Sequence, residues 1–199
     1  MRIIGLLLLS CSLCMSCVQT DKKKALIDDD FLVAEQHLSN QLKAVPEPTV
    51  YPRTIGKDGK LIATPKNDWT EGFYPGCLWY IYEHNREENW KQSAIKWTEA
   101  LEPMKKLTSH HDIGFLIYCS FGNAYRLTGK EEYKDVIIEA ANSLTTRFSE
   151  VTGCIKSWNY RKAWNGRDEW FYPVIIDNMM NLELLYFASK VTGDTRYAK

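Results

Sequence analysis

The chain has 199 residues, 25 of them basic and 25 acidic, so its formal net charge is zero; hydrophobic residues make up 45% and aromatic residues 13%. Zero net charge excludes a globally basic surface for nucleic acid or an anionic membrane, so any affinity for an acidic ligand has to be local. The aromatic share is high enough for ring-stacking surfaces as well as core packing.

In chain order, residues 1–17 come first. Arg2 followed by IIGLLLLS is a short positive region and an apolar segment too short to span a bilayer stably, and it predicts export through a cleaved signal. Cys11, Cys14 and Cys17 crowd its end, where the segment is similar to bacterial lipoprotein signals. Cys17 is the expected lipidation site because the chain turns polar only after it. Cys11, preceded by LLS, matches the usual consensus better, and an ordinary cleaved signal is the remaining reading. The expected location is the periplasm or the outer membrane of a bacterium, with a membrane reached only through such a lipid anchor. Cys77, Cys119 and Cys154 are then left, an odd set with two members on apolar helices, which argues for buried thiols rather than a disulfide framework.

Residues 18–30 read as a solvated tether and residues 31–199 as one helical domain. Phe31 to Val45 is an amphipathic helix ended by Pro46 and Pro48; Tyr51 to Asp68, with its prolines and glycines, reads as an irregular loop. From Pro75 onward one turn recurs, as NREENW, TGKEEY and TGDTRY, each between an apolar helix and a polar helix start with an aromatic. Three copies imply three helical hairpins. The second helix of a hairpin carries one apolar stripe (Trp90, Ala94, Trp97, Leu101, Met104; or Ile137, Ala140, Ala141, Leu144, Phe148), while first helices such as IGFLIYCSFGNAYRL are apolar nearly all round. That contrast predicts an outer and an inner ring of an all-α solenoid or toroid. The last segment, VTGDTRYAK, begins a new helix and stops, which reads as truncation.

Two aspartates stand directly in front of inner helices: Asp112 in SHHDIGF and Asp177 in IIDNMMNLELL. Asp is a preferred N-cap, and capping alone stabilises a helix by about 0.5–2 kcal/mol, so each has a purely structural reading. In a ring of hairpins of one sense, however, both helices start at the same rim and both carboxylates face one cavity. Mutual repulsion there raises one pKa while the helix dipoles lower it, an opposition the sequence leaves open. Between them the loop from Cys154 to Pro173 interleaves Trp158, Tyr160, Trp164, Trp170, Phe171 and Tyr172 with Lys156, Arg161, Lys162 and Arg167. Ring faces stack on sugars and the cations pair with a uronate or a sulfate; about half of these rings are expected to pack the loop onto the rim instead. Single-stranded nucleic acid is set aside, given export and zero net charge. Adjacent His110 and His111 lack further ligands at metal spacing, so no catalytic metal and no cofactor are expected.

The ordered set WTEGFYPGCLWYIYE (Trp69 to Glu83), SHHDIGF and IIDNMMNLELL resembles the unsaturated glucuronyl hydrolases, over about residues 30–199. The resemblance implies an (α/α)6 barrel, of which this chain holds about half, so residues 18–199 alone should expose inner-helix flanks and associate. It also implies removal of a 4,5-unsaturated uronic acid from the non-reducing end of a lyase-generated oligosaccharide by hydration of the ring double bond. In that scheme Asp177 looks like the general acid and base, and Asp112 orients the substrate and tunes its partner. Trp69 and Trp158 stack on the sugar and His111 hydrogen-bonds it. Residues of later hairpins that complete the pocket in this family are missing here. A related unsaturated rhamnogalacturonyl hydrolase and an inactive carbohydrate-binding lipoprotein remain as alternatives. Which polysaccharide supplies the substrate, and the oligomeric state, stay open.

Overall fold

The computed structural model describes the backbone of residues 2–198 and the side chains of residues 22–198. The expected lipid attachment at Cys17, with Cys11 and Cys14, lies outside the residues whose side chains are described. The chain divides into two compact units, residues 1–43 and 44–199. The first is helix α1 (Arg2–Ala44), which runs helically through the stretch read as tether and into the expected amphipathic helix. It stops ahead of Pro46, because a proline disfavours helical geometry in the residue before it. Among the described residues no helix is long and apolar enough to cross a membrane.

The second unit is built of helical hairpins. Helix α2 (Phe73–Asn85) turns into α3 (Glu88–Glu99). Next, α4 (Ile113–Ile117) passes through a π turn at Tyr118–Gly122 into α5 (Asn123–Thr128), which turns into α6 (Glu131–Thr145). Finally α7 (Asn178–Thr192) leads to a 3-10 turn at Thr195–Ala198. The inner helix that the sequence suggested as continuous is thus interrupted. Ser120 Oγ donates to the carbonyls of Leu116 at 2.6 Å and Ile117 at 3.2 Å, and such back-bonding competes with the regular ladder.

The recurring turn has one geometry in all three copies. The helix closes on a left-handed residue, Arg86 (φ 62°), Gly129 (φ 68°) or Gly193 (φ 74°). The residue before it, Asn85, Thr128 or Thr192, accepts a hydrogen bond on its side-chain oxygen from the backbone N–H two residues on, at 2.9, 3.3 and 3.1 Å. Four residues past the left-handed position a buried aromatic follows: Trp90, Tyr133 or Tyr197. Only glycine takes the left-handed region without strain, so Arg86 is the costly member of the set.

The predicted stripes form the core. Trp97, Ala94, Leu101, Ile137, Ala140, Ala141 and Leu144 are all fully buried, and Trp79 Nε1 donates to Thr98 Oγ1 at 2.9 Å across the first hairpin. Tyr51 to Asp68 is not an irregular loop throughout: β1 (Tyr51–Ile55) pairs antiparallel with β2 (Leu61–Thr64). Its anchor is Tyr51, fully buried edge-on to Trp97 with ring centroids 5.0 Å apart and its hydroxyl donating to the Trp97 carbonyl at 3.0 Å. Two shorter pairs, β3 (Phe148–Ser149) with β4 (Cys154–Ile155) and β5 (Arg161–Lys162) with β6 (Glu169–Trp170), shape the loop before α7.

The inner helices approach closely at two glycines. A Cβ on Gly72 would run into the backbone of Leu116, and one on Gly114 would lie 2.6 Å from the Asn181 Cα. Helix α4 is buried along its whole length. Its neighbours α2 and α7 each leave residues open: Tyr80 on α2, and Met179, Met180 and Tyr186 on α7. Cys77 is accordingly exposed and Cys119 and Cys154 only partly covered, against the expectation of buried thiols, although all three are free as expected. An apolar groove of about 630 Å³ runs beside α7, lined by Ile155, Val174, Ile176, Met179, Leu182 and Tyr186.

Candidate active site

Asp112 and Asp177 occupy the N-cap positions of α4 and α7, with nearly the same backbone conformation (φ −66°, ψ −5° and φ −66°, ψ −10°). Neither makes the side-chain capping hydrogen bond. The capping explanation for these residues therefore fails, and their carboxylates are free to turn toward each other.

They meet at His111. This histidine is fully buried, with Nε2 3.2 Å from Asp112 Oδ1 and 3.7 Å from Asp177 Oδ1. His110 Nδ1 lies 3.0 Å from the other oxygen of Asp112. Asn181, one turn into α7 and fully buried, accepts the Phe115 N–H on its Oδ1 at 2.9 Å and so turns its amide nitrogen to His111 Nδ1 at 3.4 Å. The Asn181 amide thus faces Nδ1, and Nε2 is left facing the two carboxylates, buried and, among the described residues, without a hydrogen-bond partner.

The aspartates differ in environment. Asp112 is almost fully buried, whereas the side chain of Asp177 is about a third exposed. The Asp177 carboxyl is pushed above the usual carboxylate range, chiefly by burial and further by Asp112, while His111 and the nearby Asp177 and Asn178 amides pull it down. Desolvation, more than the expected mutual repulsion, is what overcomes the helix end. Donor atoms of His111, Asp112 and Asp177 lie within 4.8 Å of one another, close enough to hold a divalent cation. Asp177, 65 residues beyond Asp112 in the chain, is a third donor that only the fold brings to the adjacent histidine and aspartate.

Aromatic rings flank the acid pair. Trp158 stands edge-on to His111 with centroids 5.7 Å apart, and an isolated antiparallel bridge joins its backbone to His110. On the other side Phe115 lies 6.5 Å from His111, and Trp69, 45% exposed, lies 6.4 Å from Phe115. All five sequence-derived candidates, Asp112, Asp177, His111, Trp69 and Trp158, thus fall along one connected cluster. The rest of the aromatic loop departs from expectation. Tyr160, Trp164, Trp170, Phe171 and Tyr172 are all exposed. They pair with one another or with cations, as in Trp164 on Trp170 at 5.8 Å and Arg161 over Trp164 at 5.7 Å.

Sequence reasoning missed the residues that hold these loops. Ser157, fully buried, donates its N–H to the Pro173 carbonyl at 2.7 Å, accepts the His111 N–H on its carbonyl at 3.1 Å and accepts the Ile175 N–H on its hydroxyl at 3.1 Å. A lone serine in a loop gives no signal of this. Arg147, also buried, was legible in principle: it lies just past the end of α6, three residues after Leu144 and in line with that helix's apolar stripe, where a charge is out of pattern.

Fold and site together define a class, a helical-hairpin toroid with an acid pair at the rim where two inner helices begin. By sequence and by fold this chain belongs with the unsaturated glucuronyl hydrolases. It is 43% identical over 149 residues to an unsaturated glucuronyl hydrolase of Formosa agariphila, covering 74% of this chain and 36% of that protein. Identity to an unsaturated chondroitin disaccharide hydrolase of Streptococcus agalactiae is 36% over 138 residues, covering 65% of this chain and 32% of that one. Among solved structures, an unsaturated glucuronyl hydrolase specific for heparin superposes with a TM-score of 0.77 at 37% identity, covering 85% of this chain and 43% of the other. The chain spans about a third of the length of the curated relatives it matches. No family model matches it.

Proposed function

We propose that the protein to which this chain belongs hydrates the ring double bond of a 4,5-unsaturated uronic acid at the non-reducing end of a lyase-generated oligosaccharide. The observation that carries this reading is a pair of N-cap aspartates that make no side-chain capping bond but converge on one buried histidine, with the Asp177 pKa raised chiefly by burial. A vinyl ether needs a proton delivered to carbon before water can add, and a carboxylic acid kept neutral is the group for that step. Asp177 protonates the alkene carbon. Its carboxylate then takes a proton from the water that attacks the adjacent ring carbon. The product ring opens and the aglycone leaves. Asp112, fixed between His110 and His111, orients substrate and holds the imidazole. Trp158 and Trp69 supply stacking faces and His111 a hydrogen bond. Carboxylate separations that distinguish retaining from inverting glycosidases do not apply, because no anomeric displacement occurs.

The relatives' names, which refer to unsaturated chondroitin disaccharides and heparin, support an acidic sugar as the substrate class. The exposed cations of the aromatic loop suit its carboxylate or a sulfate. The open flanks of α2 and α7 favour further hairpins completing the ring and the pocket. Export through residues 1–17, with lipid on Cys17, is part of the same reading, since oligosaccharides of this kind arise outside the cytoplasm.

The test follows the ultraviolet absorbance of the conjugated double bond in the full-length protein, with Asp177→Asn as control. Loss of absorbance with wild type and not with the variant supports the reading. An inert wild type across unsaturated disaccharides would replace it with a carbohydrate-binding role.

A further inference from the structure

Arg147 lies just beyond α6, only 5% exposed, and among the described residues no carboxylate stands within ion-pair distance of it. A buried guanidinium without a counter-ion is costly, and burial does lower its pKa, with Asp112 and Tyr172 the groups whose charge acts on it in the opposite direction. What satisfies it instead is backbone from separate segments. Nε donates to the Lys156 carbonyl at 2.7 Å; Nη1 donates to the Thr108 carbonyl and, at 3.3 Å, to Asn159 Oδ1. Its own backbone joins the same knot: its carbonyl accepts the Lys156 N–H at 3.0 Å and the Tyr172 hydroxyl at 3.2 Å. Nη2 is buried with no partner, so the fork is not there to satisfy all its own donors. Its geometry serves the two strands of chain it ties.

Those strands carry the site. Thr108 leads into His110, His111 and Asp112, while Lys156 and Asn159 bracket Ser157 and Trp158. We infer that Arg147 is the positioning residue of this site, a staple that holds the histidine–aspartate segment against the Trp158 segment. A planar guanidinium presents its donors at fixed, separated positions, so Nε and Nη1 each meet an acceptor on a different segment; a lysine gathers its three donors on one atom and cannot keep both spacings.

This inference rests on the proposed hydrolase reading for its kinetic arm alone. Arg147→Met and Arg147→Lys are made in the full-length protein. Amide hydrogen exchange at His111, bonded to Ser157, and at Ser157, bonded to Pro173, should quicken about tenfold or more in Arg147→Met while amides within α3 and α6 keep their rates. Arg147→Lys should fall between. Activity should drop about tenfold in kcat/KM, and the double variant with Trp158→Ala should lose no more than the worse single, because both act through one placement. Unchanged exchange, exchange quickened uniformly through the chain, or fully additive kinetic losses would each overturn the assignment. If Arg147→Met does not fold, Arg147→Lys carries the same readouts, and failure of both to fold makes Arg147 a stability residue and sinks the proposal. A wild type inert on unsaturated sugars counts against the hydrolase reading, and the exchange data then decide Arg147 by themselves.

Discussion

Helices α4 and α7 begin in the same way: an aspartate at the N-cap, nearly identical backbone angles, no capping bond. Yet one carboxylate is walled in between two histidines and the other opens to solvent on one side. The difference comes from what each helix start packs against. Asp112 is covered by the loop that Ser157 and Arg147 tie down, while Asp177 sits on the helix with a free flank. Local sequence made the two equivalent, and their surroundings divide them in burial, the difference on which the proposed roles of holder and proton donor rest.

The sharpest way to break that division is chemical. Asp177→Asn should lower kcat by about 10³-fold with the fold retained, the size expected for removing a general acid and base. The wild-type pH profile carries the complementary sign. The Asp177 carboxyl is raised above its ordinary value and in the proposed scheme works protonated, so kcat/KM should fall as pH rises through that raised pKa. A profile flat through the acidic and neutral range would remove Asp177 from the role.

Next in size is the contact that brings the two starts together. Gly114→Ala places a Cβ against Asn181 and should destabilise by about 3 kcal/mol, an overpacking cost in a rigid helix contact, read from denaturant midpoints. Asn181→Ala should cost about 1–3 kcal/mol by stranding the buried Phe115 N–H, and should also release His111 to turn, so that its activity loss exceeds its stability loss. Equal losses would mean that Asn181 only packs.

A third helix start sharpens the comparison further. Glu71, fully buried ahead of α2 and accepting the Thr64 hydroxyl, is pushed up to about 7, mainly by burial. The folded state then holds this proton more tightly than the unfolded one, so stability should decline as pH rises from about 4.5 to about 7 and level off above. Glu71→Gln should flatten that decline in melting temperatures taken at mildly acidic and mildly alkaline pH. The smallest expected effect is Arg86→Gly, which relieves the one non-glycine left-handed residue among those described and should stabilise by about 0.5 kcal/mol, strain relief being largely offset by glycine's chain entropy.

The sequence by itself determined the hairpins, their repeated turn, the apolar stripes and the two aspartates. All of these are written in short-range spacing, and three-to-four periodicity with left-handed turn residues needs no distant partner to be read. It also carried the placement of Asp112 and Asp177 at one rim, since equal hairpins start their inner helices together. Tertiary structure alone decided the rest. Tyr51 became a β-strand anchor because Trp97 offered its ring and carbonyl; the aromatic loop turned most of its rings outward; Asp177 drew its raised pKa more from burial than from its twin. The setting of the His111 ring depends on Asn181, which is far away in the chain, and the loops around it depend on Ser157 and Arg147. Such long-range hydrogen bonds and desolvation arise only when separate segments pack, and no pattern within any one segment encodes them.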